Sequence, residues 1–202
     1  MLVNATIAGT FRPAKKAYAG FYDIVLIIGG SLLIALCAQV KVPLPFSPVP
    51  ITGQTFAVLM MGALLGARRG SLCALAYIIQ GAAGLPVFAF GGGPAVLAGP
   101  TGGYLAGFVM GAYVTGALAE RGWDRRVGTT ILAMVLGNLG IYSFGLVWLC
   151  CLMGISKAVL VTGLYPFIVG DMLKIVLAAV VLPSAWQLLR KTNVANKQDQ
   201  QQ

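Results

Sequence analysis

Histidine is absent from the 202 residues, and aspartate and glutamate together number only five. Without imidazole there is no histidine ligand for zinc or haem, no Cys-His nucleophile pair, and no side chain that ordinarily titrates near neutrality. The four cysteines, Cys37, Cys73, Cys150 and Cys151, fall in apolar segments with no CxxC spacing and read as small buried hydrophobes. Also missing are a GxxxxGK[ST] phosphate loop, HExxH, GxSxG, and a second intramembrane aspartate that would complete an acid dyad. Catalysis is therefore poorly supplied: the chain is expected to be no enzyme and to hold neither metal nor cofactor.

Charge of either sign is scarce. Charged residues make up 9% of the chain against 58% hydrophobic residues, and the mean hydropathy is +0.88. A soluble domain needs more polar surface than this, so the composition specifies an integral, all-α membrane protein in a lipid bilayer. A bilayer core of about 30 Å takes roughly 20 apolar residues per span. Six spans are expected, over residues 22–40, 52–67, 70–86, 102–119, 128–152 and 164–189. The chain then divides into a basic N-terminal segment (1–21), a six-helix transmembrane domain (22–190) and a polar tail (191–202). The first apolar run is too long for a secretory signal and reads as an uncleaved first helix.

The net charge of +9 is explained by its placement. Arg12, Lys15, Lys16, Arg68, Arg69, Arg121, Arg125, Arg126, Arg190, Lys191 and Lys197 fall on one side of these spans, and only Lys41 and Lys157 on the other. This positive-inside pattern puts both termini in the cytoplasm and leaves no call for nucleic acid as a partner.

The two outer connections are unusual. Pro43, Pro45, Pro48 and Pro50 give the first a stiff, extended course that excludes helix. The second, Gly84–Tyr104, carries no charge, many glycines, and Phe88 and Phe90. Non-helical backbone near membrane depth is buried in protein or lines a cavity, so both loops are expected to cover something. Gly62, Ala63, Gly66, Ala106, Gly107, Gly111 and Gly116 allow close helix approach within a bundle. Ser31 and Ala35 give the first helix a similar small face, which packs either inside the bundle or against a partner helix.

Asp171 and Lys174 are the only acid and base well inside an apolar segment, and at i, i+3 they share one helix face. With Pro166 in the first turn, they lie about 7 Å and 12 Å below the outer start of the last helix. A mutual salt bridge is the structural reading of the pair, and a ligand site the functional one. Asn138 and Tyr142, four apart on the fifth helix, Thr52 and Gln54 at the mouth of the second, and Gln80 on the third add amide, phenol and hydroxyl groups. Together these read a small ligand bearing amide-like and carboxylate groups, with aromatic loop residues such as Phe88 and Tyr104 over its apolar part. For Asn138 an interhelical hydrogen bond is an equal alternative.

Pro43–Thr55 (PLPFSPVPITGQT), Gly84–Phe88 (GLPVF), Gly99–Tyr104 (GPTGGY), Gly137–Leu139 (GNL) and Gly170–Lys174 (GDMLK) closely resemble the BioY family over residues 22–190. BioY proteins are the biotin-specific substrate-binding (S) components of energy-coupling factor (ECF) transporters. The resemblance implies a six-helix S-component fold in a prokaryotic cytoplasmic membrane. It also implies biotin capture from outside, and a transmembrane coupling protein with ATPase subunits on other chains. It further implies that Lys174 compensates the valerate carboxylate while Asp171 and Asn138 pair with the ureido group, or that Asp171 mainly holds Lys174 in place. Ser31, Ala35 and Ala38 match the first-helix face that meets the coupling protein. The rival reading is a self-contained, ion-coupled secondary carrier for a small carboxylate-bearing molecule, with Asp171 as the ion site.

Overall fold

The structure, a computed structural model, describes residues 6–199, with side chains to Thr192. The side chain of Lys197 and the last residues of the polar tail therefore lie outside the described part. A short helix α1 (Ile7–Thr10), capped by Thr6 Oγ1 accepting from Gly9 N at 3.2 Å, precedes the long helix α2 (Lys16–Gln39). A two-stranded antiparallel ribbon follows, β1 (Lys41–Val42) and β2 (Ile51–Thr52), with Lys41 opposite Thr52 and Val42 opposite Ile51. The proline-rich stretch 43–50 forms the non-helical crossing between the strands, since proline can neither donate to a helix nor extend a ladder.

Helices α3 (Gln54–Leu65) and α4 (Ala67–Ala82) meet at Gly66, whose φ of +91° is open to glycine and strained for other residues. Helix α5 (Pro94–Ala98) interrupts the second outer connection, where the sequence alone suggested no helix. Its cause is local: Pro94 supplies a fixed helical φ at the first position. Helix α6 (Gly102–Glu120), a 3₁₀ turn (Trp123–Arg125), α7 (Val127–Met153), α8 (Lys157–Gly163) and α9 (Tyr165–Asp199) complete the chain. Pro166 occupies the first turn of α9, and that helix continues past residue 190 into the expected tail.

Among the described residues six helices fall where six spans are expected, but four segments are long and apolar enough to cross a membrane: Lys16–Gln39, Gly102–Glu120, Val127–Met153 and Lys157–Thr192. At 1.5 Å per residue, α3 and α4 reach only about 18 Å and 24 Å, and α4 begins on Arg68 and Arg69.

Helix α6 is the central post, packed by α7, α3 and α4. Small residues set that closeness: a Cβ on Gly62 would stand 2.4 Å from Ala112 O, and one on Gly107 2.7 Å from Ile141 O. Ala106, by contrast, is exposed. Large apolar side chains cover the periphery, Phe21, Leu36, Val169 and Leu173 each being at least two-thirds exposed. In water such a surface would aggregate; facing lipid tails it costs nothing.

The start of α2, the α3–α4 turn and the α6–α7 connection all lie at one end of the bundle and carry the cations. Arg12 and Arg69 flank Asp23 there, at 2.6 and 3.2 Å. In the same region Asp124 is buried and accepts from Trp186 Nε1 at 2.5 Å, while the Arg125 guanidinium lies 4.5 Å over the Trp186 ring. Burial raises the Asp124 carboxyl above its ordinary value of 3.8, and the Trp186 hydrogen bond partly opposes this.

Candidate functional site

At the opposite end, the β1–β2 ribbon, the 84–93 loop and the starts of α3, α6 and α9 enclose a cavity. Its polar end is built from three helices. Asp171 Oδ1 accepts from Lys174 Nζ at 3.0 Å and from Thr55 Oγ1 at 3.3 Å, and Tyr142 OH donates to Oδ2. Lys174 Nζ also donates to Thr55 Oγ1 at 2.7 Å, so the Thr55 hydroxyl accepts from the ammonium and donates to the carboxylate. The side chains are 7% exposed for Asp171 and 21% for Lys174. The pair is thus electrically closed on itself, with one ammonium N–H left over.

The side walls are apolar. Val49, Pro50, Phe88, Phe90, Leu105, Phe108 and Phe167 line the cavity with Thr52, Gln54 and Tyr104. The space they enclose is about 50 Å³, room for only a few waters. Thr52 Oγ1 accepts from Gln54 N and donates to Gln54 Oε1 at 2.9 Å, fixing the amide at the head of α3. Gln54 Nε2 donates to Tyr77 OH at 2.6 Å, and Tyr77 OH donates to Val87 O at 3.1 Å. That chain of bonds moors the 84–93 loop to the bundle. Phe88 is seated edge-on against Tyr77, with centroids 5.4 Å apart, over Gly81, where any Cβ would stand 2.0 Å from the Phe88 ring. Tyr104 donates to Gly163 O at 2.6 Å and meets Tyr142 in a T-shaped contact at 6.4 Å.

Of the residues singled out from sequence, Asp171, Lys174, Tyr142, Thr52, Gln54, Phe88 and Tyr104 come together around this cavity. Asn138 does not line it: it is buried one turn from Tyr142 on α7, and its Oδ1 has no partner among the described residues. Gln80 also lies elsewhere, donating to Ser31 Oγ at 2.9 Å. That bond ties α4 to α2. Ser31, Ala35 and Ala38 are 0%, 9% and 0% exposed, packed inward because their small side chains let α3 and α4 approach. In the chain by itself that small-residue face is covered by α3 and α4.

Thr55 is the cavity residue that sequence reasoning passed over, although it stands in the same motif as Thr52 and Gln54 and is the hydroxyl in the first turn of α3. Phe108 and Phe167 carried no signal separating them from core aromatics. Among the described residues no three cysteine or carboxylate groups cluster as a metal would require.

Comparisons with known proteins show what the chain is similar to. The sequence model of the BioY family matches residues 12–191. The biotin transporter BioY of Rhizobium etli is 39% identical over 168 residues, 79% of this chain and 90% of the relative. The biotin transporter BioY of Thermotoga maritima is 38% identical over 165 residues, 81% of this chain and 90% of that protein. The crystal structure of the S-component for biotin from an ECF-type ABC transporter superposes with a TM-score of 0.73 at 26% identity, covering 88% of this chain and 95% of the other.

Proposed function

The chain belongs to the BioY family, and from that premise we propose that it captures biotin at the outer face of the membrane for uptake as the S component of an ECF transporter. The observation that carries this reading is the closed cluster of Asp171, Lys174, Thr55 and Tyr142 at one end of an otherwise apolar cavity. Biotin has matching halves: a ureido group with two donors and one acceptor, and an apolar bicycle and chain.

Asp171 accepts from the ureido N–H groups, taking them in exchange for Thr55 or Tyr142. Lys174, through its spare N–H, and the Thr55 hydroxyl donate to the ureido oxygen. Phe88, Tyr104, Phe108 and Phe167 enclose the rings. A bicyclic ligand enters past the 84–93 loop, which gives way on entry. The positive φ of Gly84, Gly91 and Gly93 provides the hinges.

The chain lies in a prokaryotic cytoplasmic membrane with six passes, α3 and α4 being short ones, and both termini in the cytoplasm; the cations gathered at the end opposite the cavity support this orientation. ATP hydrolysis belongs to separate ATPase subunits and reaches this chain through a transmembrane coupling protein, in keeping with the absence of a phosphate loop. A coupling protein approaching α2 meets the exposed Ile24, Ile28, Leu32 and Leu36.

Proteoliposomes test the assignment. With coupling and ATPase subunits present, ATP drives biotin accumulation, while this chain alone binds biotin without concentrating it. Accumulation by the chain alone under a proton or sodium gradient would overturn the reading in favour of an ion-coupled carrier.

A further inference from the structure

Lys174 is poorly placed to neutralise a second anion. Its ammonium is 3.0 Å from Asp171 Oδ1, and the two charges cancel at the deep end of the cavity. Among the described residues no other cation lines the cavity. A ligand that enters with a carboxylate therefore brings one uncompensated negative charge, which is tolerated only at the wet mouth or beside another cation.

Such a cation stands at the mouth. Lys41 lies directly opposite Thr52 in the β1–β2 register, and cross-strand partners project from the same face of a ribbon; Thr52 lines the cavity. Lys41 Nζ donates to Ala89 O and sits 5.5 Å from the centroid of the Phe90 ring. Ala89 and Phe90 are both cavity-wall residues. Lys41 is thus bound to the wall from two sides while its residue stays exposed, so its ammonium stays hydrated at little cost. The other outer cation, Lys157, begins α8 and contributes nothing to the cavity lining.

We propose that Lys41 is the carboxylate-reading residue of the site, meeting the charged end of the ligand at the outer mouth while the Asp171 cluster holds the polar group at the deep end. This rests on the biotin reading above. Lys41 has three N–H donors, and with one on Ala89 O it retains two for a carboxylate. It therefore couples ligand recognition to the 84–93 loop: the same ammonium that clasps the loop binds the ligand, so an acid closes the cover more firmly than its amide does.

The experiment compares biotin with biotinamide, which differs by loss of the charge, by calorimetry on the detergent-purified chain at low and high salt. Wild type is expected to prefer biotin by about tenfold, the worth of one charge-assisted hydrogen bond, with the preference shrinking as salt rises. Lys41→Met keeps the stem over Phe90 and is expected to erase the preference while holding biotinamide affinity within about threefold of wild type. Lys41→Arg retains the preference, and Lys157→Met leaves it unchanged. Equal weakening of both ligands by Lys41→Met would overturn the proposal and leave Lys41 a loop clasp alone. A wild-type chain that binds both ligands equally would also overturn it. A wild-type chain that binds neither would defeat the biotin reading itself, and the proposal with it.

Discussion

Separating the fold from the binding site depends on how the Asp171–Lys174 pair responds to loss of one member or both. At 3.0 Å and an effective dielectric constant near 20, the pair attracts by about 5 kcal/mol, most of it offset by desolvation. Removing one member leaves the other charge in the protein, at a cost of about 3–5 kcal/mol for a buried pair. The two sides differ. Lys174→Met leaves Asp171 with the hydroxyls of Thr55 and Tyr142, whereas Asp171→Ala leaves Lys174 with Thr55 alone.

Lys174 is a fifth exposed, so water softens both losses. The expected figures are about 2 kcal/mol for Lys174→Met and about 3 kcal/mol for Asp171→Ala. The double variant, with no charge left, should fall within about 1 kcal/mol of wild type. For a chain of this length each kcal/mol moves the melting midpoint by about 2–4 °C. In detergent, monitored by size exclusion after heating, the order should be wild type, double variant, Lys174→Met, Asp171→Ala. Biotin binding should be lost in all three. A double variant that melts below both singles would refute the coupled-pair argument. One that melts well and still binds biotin tightly would remove the pair from the site.

Other perturbations separate the remaining parts. Thr55→Val deletes the hydroxyl bridging Lys174 and Asp171 and should weaken biotin by about tenfold or more, at a stability cost of about 1–2 kcal/mol; unchanged affinity by calorimetry would exclude Thr55 from the site. Gly81→Ala puts a Cβ against the Phe88 ring, so the 84–93 loop should become protease-sensitive and biotin release faster, and wild-type release rates would contradict this. Asp124 has its pKa raised in the folded state, so the folded chain holds that proton more tightly and loses stability as pH rises from about 4 through the folded value. Asp124→Asn, which keeps an acceptor for Trp186, should flatten this dependence and melt no lower than wild type at pH 7. A lower melting point that is constant with pH would refute it.

The membrane class, the helix positions and most of the cavity were legible because their signals are strong ones. Long apolar runs, one-sided cations and an isolated charged pair each have few physical explanations. Asp171 and Lys174 converge because α9 presents the face that the i, i+3 spacing assigned them, and Tyr142 reaches Asp171 from α7. The placements that differ from the sequence reading have equally local causes. Gln80 reads as a ligand group in any apolar helix, but its face depends on the packing of α4 against α2, where Ser31 accepts its proton. Ser31, Ala35 and Ala38 carry the same small-residue signal whether a neighbour in the chain or a separate protein covers them; the neighbours are α3 and α4. Thr55 was hidden by company: among three polar residues in four positions, nothing in the sequence says which one turns toward α9. Gly66, whose positive φ turns the chain, ends α3 before it reaches a full bilayer width and starts α4 at once.

Biotin capture is the claim on which the account stands, and equilibrium binding of radiolabelled biotin to the detergent-purified, monodisperse chain tests it most directly. The account predicts saturable binding of one biotin per chain without any partner subunit, and loss of that binding in a folded Asp171→Asn variant. A folded wild-type chain that shows no saturable binding, or an Asp171→Asn variant that binds as wild type does, would contradict it.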